Sequence, residues 1–226
     1  MATFVAETDP APKRLIGIFG GTFDPVHNGH LRMAQEIVDA APMTELRFVP
    51  CHVPPHRETP RASASERVEL LRAALSEGDP RFRIDTRELE REGPSYMVDT
   101  LGSLREELGE KTAIALILGH DALMGLSTWS RWTELTELAH LIILPRPGYR
   151  PELPEVLSAH LKNRISEDPQ HLLTSPHGSV VPITTSQLEI SASQIRELLK
   201  RHQSARYLLP EPVLQRIHSL GLYAST

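Results

Sequence analysis

Short apolar runs alternate along this chain with segments in which apolar residues recur every three or four positions. The runs predict buried strands, because each is brief and is bounded by turn residues. Five runs have this form, namely Leu15–Phe19, Leu46–Val49, Phe82–Ile84, Ala113–Leu118 and Leu141–Leu144, and Val180–Ile183 is a candidate for a sixth. These strands are spread over most of the chain.

The segments between the runs have the spacing and the caps of helices. Ser63-Ala64-Ser65-Glu66 has the pattern of a capping box and should open a helix. Ser95 and Ser191 are expected to cap two more helices, and a last helix is expected around Val213–Ile217. Because neighbouring parallel strands need a crossover, the alternation predicts an α/β fold. It should be a doubly wound, mostly parallel sheet in a single domain with a C-terminal helical extension.

Two segments depart from the alternation. Residues 1–14 carry Glu7 and Asp9 where a signal peptide needs an apolar stretch, so they are expected to form a flexible leader. Residues 145–182 are rich in proline and lack strong periodicity, which predicts an extended connection with one or two helices. The remaining chain is therefore interpreted as one domain over residues 15–226.

Composition narrows the class of partner. The chain has 226 residues, a formal net charge of −5 and one cysteine, Cys51. A single cysteine excludes an intrachain disulfide, which suits a reducing cytoplasm, and the acidic balance gives no sign of nucleic-acid binding. The longest apolar run, Ala113–Leu118, is too short to cross a membrane. We therefore expect a cytoplasmic protein without nucleic-acid or membrane partners.

The first chemical motif lies between the first strand and the first helix. It reads GGTFDPVHNGH over Gly20–His30. Two glycines let backbone N–H groups approach a phosphate, and the helix that follows favours negative charge at its N-terminus. His27 and His30 share a face of that helix and are interpreted as a phosphate clamp. Asp24-Pro25 is interpreted as an Asx turn that shapes the loop.

A second motif, Ile190–Arg196, reads ISASQIR and opens a later helix. Its hydroxyls and N–H groups are suited to hold the far phosphates of ATP, with Arg196 as a delocalised positive partner. In a parallel sheet ligands bind at the carboxyl ends of the strands, so both motifs are expected along one rim. Pro54–Arg57, Gly119–Asp121 and Arg146 are expected on the same rim.

The motifs together resemble the nucleotidyltransferase superfamily with the HxGH motif, and most closely bacterial nicotinate-nucleotide adenylyltransferases. The resemblance covers nearly all of the chain after Leu15. It is carried by the two motifs above and by VPPHR (53–57), GPSYMVDTL (93–101), LGHDALMGLSTW (118–129), PRPGY (145–149) and LLPEPVLQRIHSLGLY (208–223).

The resemblance implies a role for each matching position. His27, His30 and Arg196 are the catalytic residues it implies. The positions implied to bind ATP are Gly20, Gly21, Thr22, Phe23, Gly119, Asp121, Ser191 and Ser193. The positions implied to bind the mononucleotide are His56, Arg57, Ser95, Tyr96, Met97, Thr100 and Trp129. The implied reaction joins ATP to nicotinate mononucleotide in NAD biosynthesis and releases pyrophosphate.

The chemistry of that reaction sets further expectations. The attacking phosphate oxygen is already anionic, so no general base is needed, and catalysis rests on alignment and charge neutralisation. Mg²⁺ should accompany ATP without a protein metal site, since no acidic cluster is visible in the sequence. The helix start at Ser95–Val98 favours a carboxylate over an amide. The oligomeric state is expected to be a monomer or a small homo-oligomer.

Several alternatives stay open at this point. Nucleotidyltransferases that act on nicotinamide mononucleotide, phosphopantetheine or glycerol phosphate share the first motif. A class I aminoacyl-tRNA synthetase has a similar HxGH sequence, but this chain is short. A catalytically silent nucleotide sensor is a further possibility, against which the intact His27, His30 and Arg196 count.

Overall fold

The computed structural model describes residues 13–53, 59–145 and 153–224. Within them, six parallel strands form one sheet in the order β3-β2-β1-β4-β5-β6. The strands are β1 (Leu15–Gly21), β2 (Glu45–Pro50), β3 (Phe82–Ile84), β4 (Ala113–Gly119), β5 (His140–Leu144) and β6 (Val180–Pro182). All six predicted strands are confirmed, including the candidate sixth.

In the described ranges, eight helices pack around this sheet. They are α1 (Asn28–Ala40), α2 (Ala64–Leu75), α3 (Met97–Leu108), α4 (His120–Met124), α5 (Leu135–Leu138), α6 (Glu155–Leu161), α7 (Ala192–Lys200) and α8 (Glu211–Leu220). Short 3₁₀ turns lie at Leu126–Thr128, Trp132–Glu134 and Pro169–Leu173. The predicted doubly wound fold with C-terminal helices is therefore confirmed.

Alternate residues of β1 explain why helices cover both faces. Leu15 and Phe19 belong to the apolar core formed with α1, α2, α7 and α8. Ile16 and Ile18 belong to the core formed with α3, α4, α5 and α6. Because side chains alternate between the faces of a strand, one apolar run contributes to both cores. Neither face of the central strand is left open to solvent.

The predicted helix caps are confirmed in two of three places. Ser63 caps α2 in a capping box with Glu66, and Ser191 caps α7 by accepting from the N–H of Gln194. The prediction that Ser95 caps α3 is wrong, because α3 begins after Tyr96. The Ser95 hydroxyl instead accepts from the N–H of His52 at 2.9 Å. A sequence pattern does not reveal this contact, since 43 positions separate the two residues.

The segment over residues 145–182 contains the α6 helix, a 3₁₀ turn and β6. That this segment serves as an extended connection stays a prediction. Residues 146–152, with Arg146 and most of the PRPGY motif, lie outside the described residues, as do positions 1–12 of the predicted leader.

Candidate active site

The order of the strands reverses between β1 and β4, which lie side by side at the centre of the sheet. Leu15–Ile18 pair with Ala113–Leu116, so the two strands run in register toward the same edge. In open parallel sheets the crevice beyond such a reversal is where ligands bind. The loop of the first motif leaves β1 there, and Gly119 ends β4 at the same edge.

The glycine turn is closely packed from two sides. A Cβ atom at Gly20 would lie 2.9 Å from Cε of Met97, and one at Gly21 would lie 2.8 Å from the Phe23 ring. Phe23 is buried and has a left-handed backbone with φ of 50°, which is uncommon outside glycine. These close contacts constrain the shape of the loop. That shape brings Met97, a predicted mononucleotide residue, against the predicted phosphate loop.

The two histidines of the motif lie ring on ring at the start of α1. Their ring centroids are 3.7 Å apart and the planes differ by 29°. His30 Nδ1 accepts from the backbone N–H of His27 at 3.3 Å, and the Phe23 ring meets His30 edge-on. The shared face predicted from the spacing is thus present. Whether these rings contact phosphate stays a prediction.

His27 differs from an ordinary surface histidine in charge and in hydrogen bonding. Its side chain is 5% exposed, and burial lowers its pKa to about 4. Its Nδ1 atom is buried and makes no hydrogen bond of regular geometry among the described residues, although the His27 and His30 side chains form a capping box at the start of α1. With a pKa of about 4, the His27 imidazole is neutral at pH 7 in the free protein. Burial excludes the charged form, because an isolated ion is costly away from water.

Arg196 reaches from α7 to the phosphate loop. Its Nη1 donates to the carbonyl oxygen of Asp24 at 2.7 Å, and its Nη2 lies 3.4 Å from the Ser193 hydroxyl. Ser191 and Ser193 are exposed at the start of the helix. The two motifs, far apart in the sequence, are thus joined in the structure. The guanidinium has five N–H donors, so these contacts leave donors for a ligand.

The sequence did not predict the contacts that three residues, Asp24, Arg67 and Tyr223, make in and beneath the loop. The Asp24 carboxylate accepts from Tyr223 and from two backbone N–H groups of the segment before α2. Arg67 is 1% exposed and donates to the carbonyl oxygen of Thr22 at 2.8 Å. The Asx-turn interpretation of Asp24 is wrong, because its carboxylate contacts distant residues. The only sequence signal was an acid inside the motif.

The predicted mononucleotide residues gather around the start of α3. Ser95 joins this region to the strand end at His52, and its own N–H donates to the Val53 carbonyl at 3.1 Å. Tyr96, Met97 and Trp129 are half-buried and pack against the core that contains α3. His56 and Arg57 lie outside the described residues. The binding roles of all these positions stay predictions.

Thr100 is fully buried, unlike its neighbours in that set. Its hydroxyl donates to Glu88 Oε1 at 2.7 Å and accepts from Nη2 of Arg91 at 2.5 Å. Burial raises the pKa of Glu88 above its usual range. Direct contact between Thr100 and a ligand requires this hydroxyl to change partners. As placed, Thr100 supports the helix start from inside.

Gly119 and Asp121 stand where β4 passes into α4. Gly119 is the N-cap residue of that helix and Asp121 lies in its first turn, and both are exposed on the rim. The structure brings them to the same crevice as the glycine turn. Their predicted contact with the adenosine ribose stays a prediction. The rim as a whole combines two imidazoles, a guanidinium and two helix N-termini, which suits a polyanion.

The sequence of this chain is similar to the sequences of known proteins. The family model described as Cytidylyltransferase-like matches residues 18–198. A relative in Methylococcus capsulatus, named "Probable nicotinate-nucleotide adenylyltransferase", is 48% identical over 93% of this chain and 100% of its own length. One of the same name in Halorhodospira halophila is 46% identical over 94% of this chain and 96% of its own. The chain belongs to the nicotinate-nucleotide adenylyltransferase family.

Solved structures give the same fold at lower identity. Plasmodium falciparum nicotinic acid mononucleotide adenylyltransferase, complexed with NaAD, has a TM-score of 0.68 and 18% identity, with 93% of this chain and 97% of that chain covered. A structure of the same protein complexed with APC has a TM-score of 0.67. The predicted family and fold are therefore confirmed. In the described part of this adenylyltransferase-family chain, no helix is long and apolar enough to cross a membrane.

Proposed function

We propose that this chain transfers the adenylyl group of ATP to nicotinate mononucleotide, giving nicotinate adenine dinucleotide and pyrophosphate. The observation that carries the proposal is the meeting of the two motifs, since Arg196 donates to the carbonyl oxygen of Asp24 in the loop that leads to the stacked rings of His27 and His30. A guanidinium, two imidazoles and helix N-termini brought together in this way are suited to a polyphosphate. The relatives described above carry the name of this activity.

In this reaction a phosphate oxygen of the mononucleotide attacks the α-phosphorus of ATP. The new P–O bond forms as the bond from the α-phosphorus to the oxygen bridging the β-phosphate breaks, and pyrophosphate leaves with that electron pair. The attacking oxygen carries no proton, so the neutral His27 need not act as a base. Its part is to orient the α-phosphate by hydrogen bonding. Arg196 and the α7 N-terminus offset charge that moves onto the leaving pyrophosphate.

Binding of the polyanion should change the charge state of His27. A phosphate within contact distance favours the protonated imidazole, because an opposite charge raises the pKa of a histidine. Buried Arg67 donates to the Thr22 carbonyl beneath the same loop, and its positive charge attracts the polyanion rather than the imidazole proton. The site thus holds a neutral histidine when empty and becomes able to charge it once the triphosphate is in place.

Mg²⁺ enters this scheme with ATP. Among the described residues no group of three or more His, Cys, Asp or Glu side chains is placed to hold a metal ion. We therefore assign its ligands to phosphate oxygens and water, which suits an ion that keeps much of its hydration shell. When bound, it neutralises charge on the triphosphate. The neighbouring Asp24 carboxylate is already occupied by protein donors.

The acceptor is assigned from the start of α3. No side chain caps this helix at Tyr96, so its first-turn N–H groups and its partial positive charge are suited to an anion. A nicotinate carboxylate accepts from such donors, whereas an amide turns its NH₂ toward them and leaves donors unpaired. One unpaired buried donor costs about 1–3 kcal/mol, which is roughly 5- to 150-fold. We propose the acid as the preferred acceptor, in a cytoplasmic monomer or small homo-oligomer.

A parallel product assay tests the proposal. Purified protein receives ATP and Mg²⁺ with nicotinate mononucleotide, nicotinamide mononucleotide or phosphopantetheine, and both dinucleotide and pyrophosphate are measured. We expect kcat/KM for the acid to exceed that for the amide by more than about tenfold. Equal kcat/KM values make the enzyme dual-specific and overturn only the acceptor assignment. Absence of pyrophosphate with every acceptor overturns adenylyl transfer and favours a silent nucleotide sensor.

A further inference from the structure

The buried carboxylate of Asp24 joins three parts of the chain that lie far apart in sequence. Asp24 is 4% exposed. Its Oδ2 accepts from the N–H of Arg61 at 2.8 Å, and its Oδ1 accepts from the N–H of Ala62 at 3.1 Å and from the Tyr223 hydroxyl at 2.7 Å. Arg196 Nη1 lies 3.8 Å from Oδ2. Both carboxylate oxygens are thus used.

Every one of these contacts presents a positive charge or a hydrogen-bond donor to Asp24. An uncharged amide of the same shape carries a donor on one side, and that NH₂ would face a backbone N–H. Burying a donor against a donor costs the full desolvation of both groups. The site therefore requires a carboxylate at this position for reasons of hydrogen bonding as well as of charge.

The contacts to Arg196 fix one side of its guanidinium. Nη1 is held between the carbonyl oxygen of Asp24 at 2.7 Å and the carboxylate of the same residue. An arginine held on one side by a backbone carbonyl, with a carboxylate 3.8 Å away as its counter-charge, presents its remaining planar N–H donors in a set direction. Without that support, its long side chain has many other rotamers available. Asp24 thus determines where the guanidinium points in the crevice.

The contacts with Arg61 and Ala62 connect Asp24 to the segment that precedes α2. These residues rejoin the described fold just after residues 54–58, which carry the predicted mononucleotide ligands His56 and Arg57. Tyr223, three residues beyond the end of α8, closes the third side with its hydroxyl. The Asp24 carboxylate is therefore shared by the predicted ATP side and the predicted mononucleotide side of the site.

We propose that Asp24 is a positioning residue that couples the Arg196 contact with ATP to the segment preceding α2, with Tyr223 as its C-terminal support. The proposal rests on the proposed function only in taking Arg196 to bind the triphosphate. Asp24 itself touches no substrate in this scheme. Its effect on ATP passes through Arg196, so removal of Arg196 should make Asp24 irrelevant to ATP affinity.

A double-mutant cycle on ATP affinity tests this dependence. The dissociation constant for ATP is measured by titration calorimetry without acceptor for wild type, Asp24→Asn, Arg196→Ala and the double variant. We expect Asp24→Asn alone to weaken ATP by about 5- to 50-fold, the effect of one disrupted buried hydrogen-bond network. In the Arg196→Ala background the same change should alter affinity less than about twofold.

A matched control separates this effect from general destabilisation. The side chain of Asp79 is 11% exposed and is paired with Arg81 at 2.6 Å, away from the crevice. Asp79→Asn should leave ATP affinity within about twofold of wild type even where it lowers the melting temperature. If Asp24→Asn fails to fold, Tyr223→Phe removes one hydroxyl from the same carboxylate. It should weaken ATP about two- to fivefold, and only while Arg196 is present.

The outcomes are distinct. Wild-type ATP affinity in folded Asp24→Asn, or equal effects of this substitution with and without Arg196, overturns the coupling and leaves the proposed function intact. Failure of the wild-type protein to bind ATP overturns the proposed function and the coupling together. A weakening that disappears in the Arg196→Ala background supports both.

Discussion

His27 in the loop after β1 and His140 at the start of β5 are both buried, and burial lowers the pKa of each to about 4. They differ in their hydrogen bonds. His140 Nδ1 accepts from the N–H of Ser179 at 3.0 Å, and its Nε2 donates to the carbonyl oxygen of Ser175 at 2.9 Å. Nδ1 of His27 makes no hydrogen bond of regular geometry within the described ranges.

We propose that this difference separates a structural histidine, His140, from one that binds a ligand, His27. Both rings lose the solvation of their charged forms. The fold uses both ring nitrogens of His140, so that ring has none left for a ligand, whereas the His27 ring stacks on His30 beside the glycine loop. Burial and a lowered pKa are common to His27 and His140, so neither property distinguishes the two residues. The hydrogen bonds that each ring makes with the fold distinguish them.

The largest expected effect separates the two histidines kinetically. His27→Ala and His30→Ala should each fold and lose about 10²- to 10³-fold in kcat, the usual loss for one preorganised transition-state donor. His140→Leu is the matched control. It should keep kcat but lose about 1–3 kcal/mol of unfolding free energy, because Ser175 and Ser179 lose their partner. Circular dichroism, denaturation and steady-state kinetics measure the pattern, and near-normal turnover by folded His27→Ala breaks it.

Acid should destabilise the fold through both histidines. Below pH 6.5 the unfolded chain protonates each imidazole, while the folded protein does not until about pH 4. The unfolded state then binds more protons, so stability falls as pH falls through this window. Each histidine contributes about 3 kcal/mol to that loss at pH 4.

His140→Asn isolates one of these contributions. Between pH 7 and pH 4 the unfolding free energy of wild type should fall about 3 kcal/mol more than that of the variant. Urea denaturation at a series of pH values gives both curves, and taking their difference removes the carboxylate titrations common to the two proteins. Parallel curves would show that His140 is not held neutral by the fold.

A smaller effect is expected on KM, where Trp129 and Trp132 can be compared in the same way. Trp129→Ala should raise KM for the mononucleotide more than KM for ATP, with about 0.5–1.5 kcal/mol lost beyond area effects if the pyridine ring stacks there. Trp132, which meets the His160 ring edge-on at 4.9 Å, is the matched control. Trp132→Ala should lower stability with little change in either KM. Equal rises of both KM values in Trp129→Ala assign that residue to the core.

The sequence was sufficient for the fold because its three central strands, β1, β4 and β5, are short apolar runs buried along most of their length and separated by amphipathic helices. Leu15–Phe19 is apolar on both faces, and such a strand is typical of a parallel sheet that is covered by helices on both sides. The shared face of His27 and His30 followed from helical spacing for the same reason: it is local. The capping box at Ser63 was equally local.

What the sequence could not reveal depends on contacts between distant positions. Asp24 and Tyr223 are 199 positions apart, and Ser95 meets His52 across 43. Neither separation has a periodicity or a cap pattern to mark it. The neutral state of His27 likewise depends on how deeply the completed fold buries the ring. These features emerge only when the sheet brings the ends of its strands together.

The most direct test of the difference between His27 and His140 measures both imidazoles in one pH titration. The histidines are labelled with ¹⁵N, and NMR measures the pKa of His27 and of His140 with and without a non-hydrolysable ATP analogue. We expect both at about 4 in the free protein. With the analogue bound, His27 should rise by at least one unit toward its ordinary value as phosphate reaches the ring, while His140 stays unchanged. An unchanged His27 pKa in the saturated complex would contradict the claim that the triphosphate reaches the His27 ring.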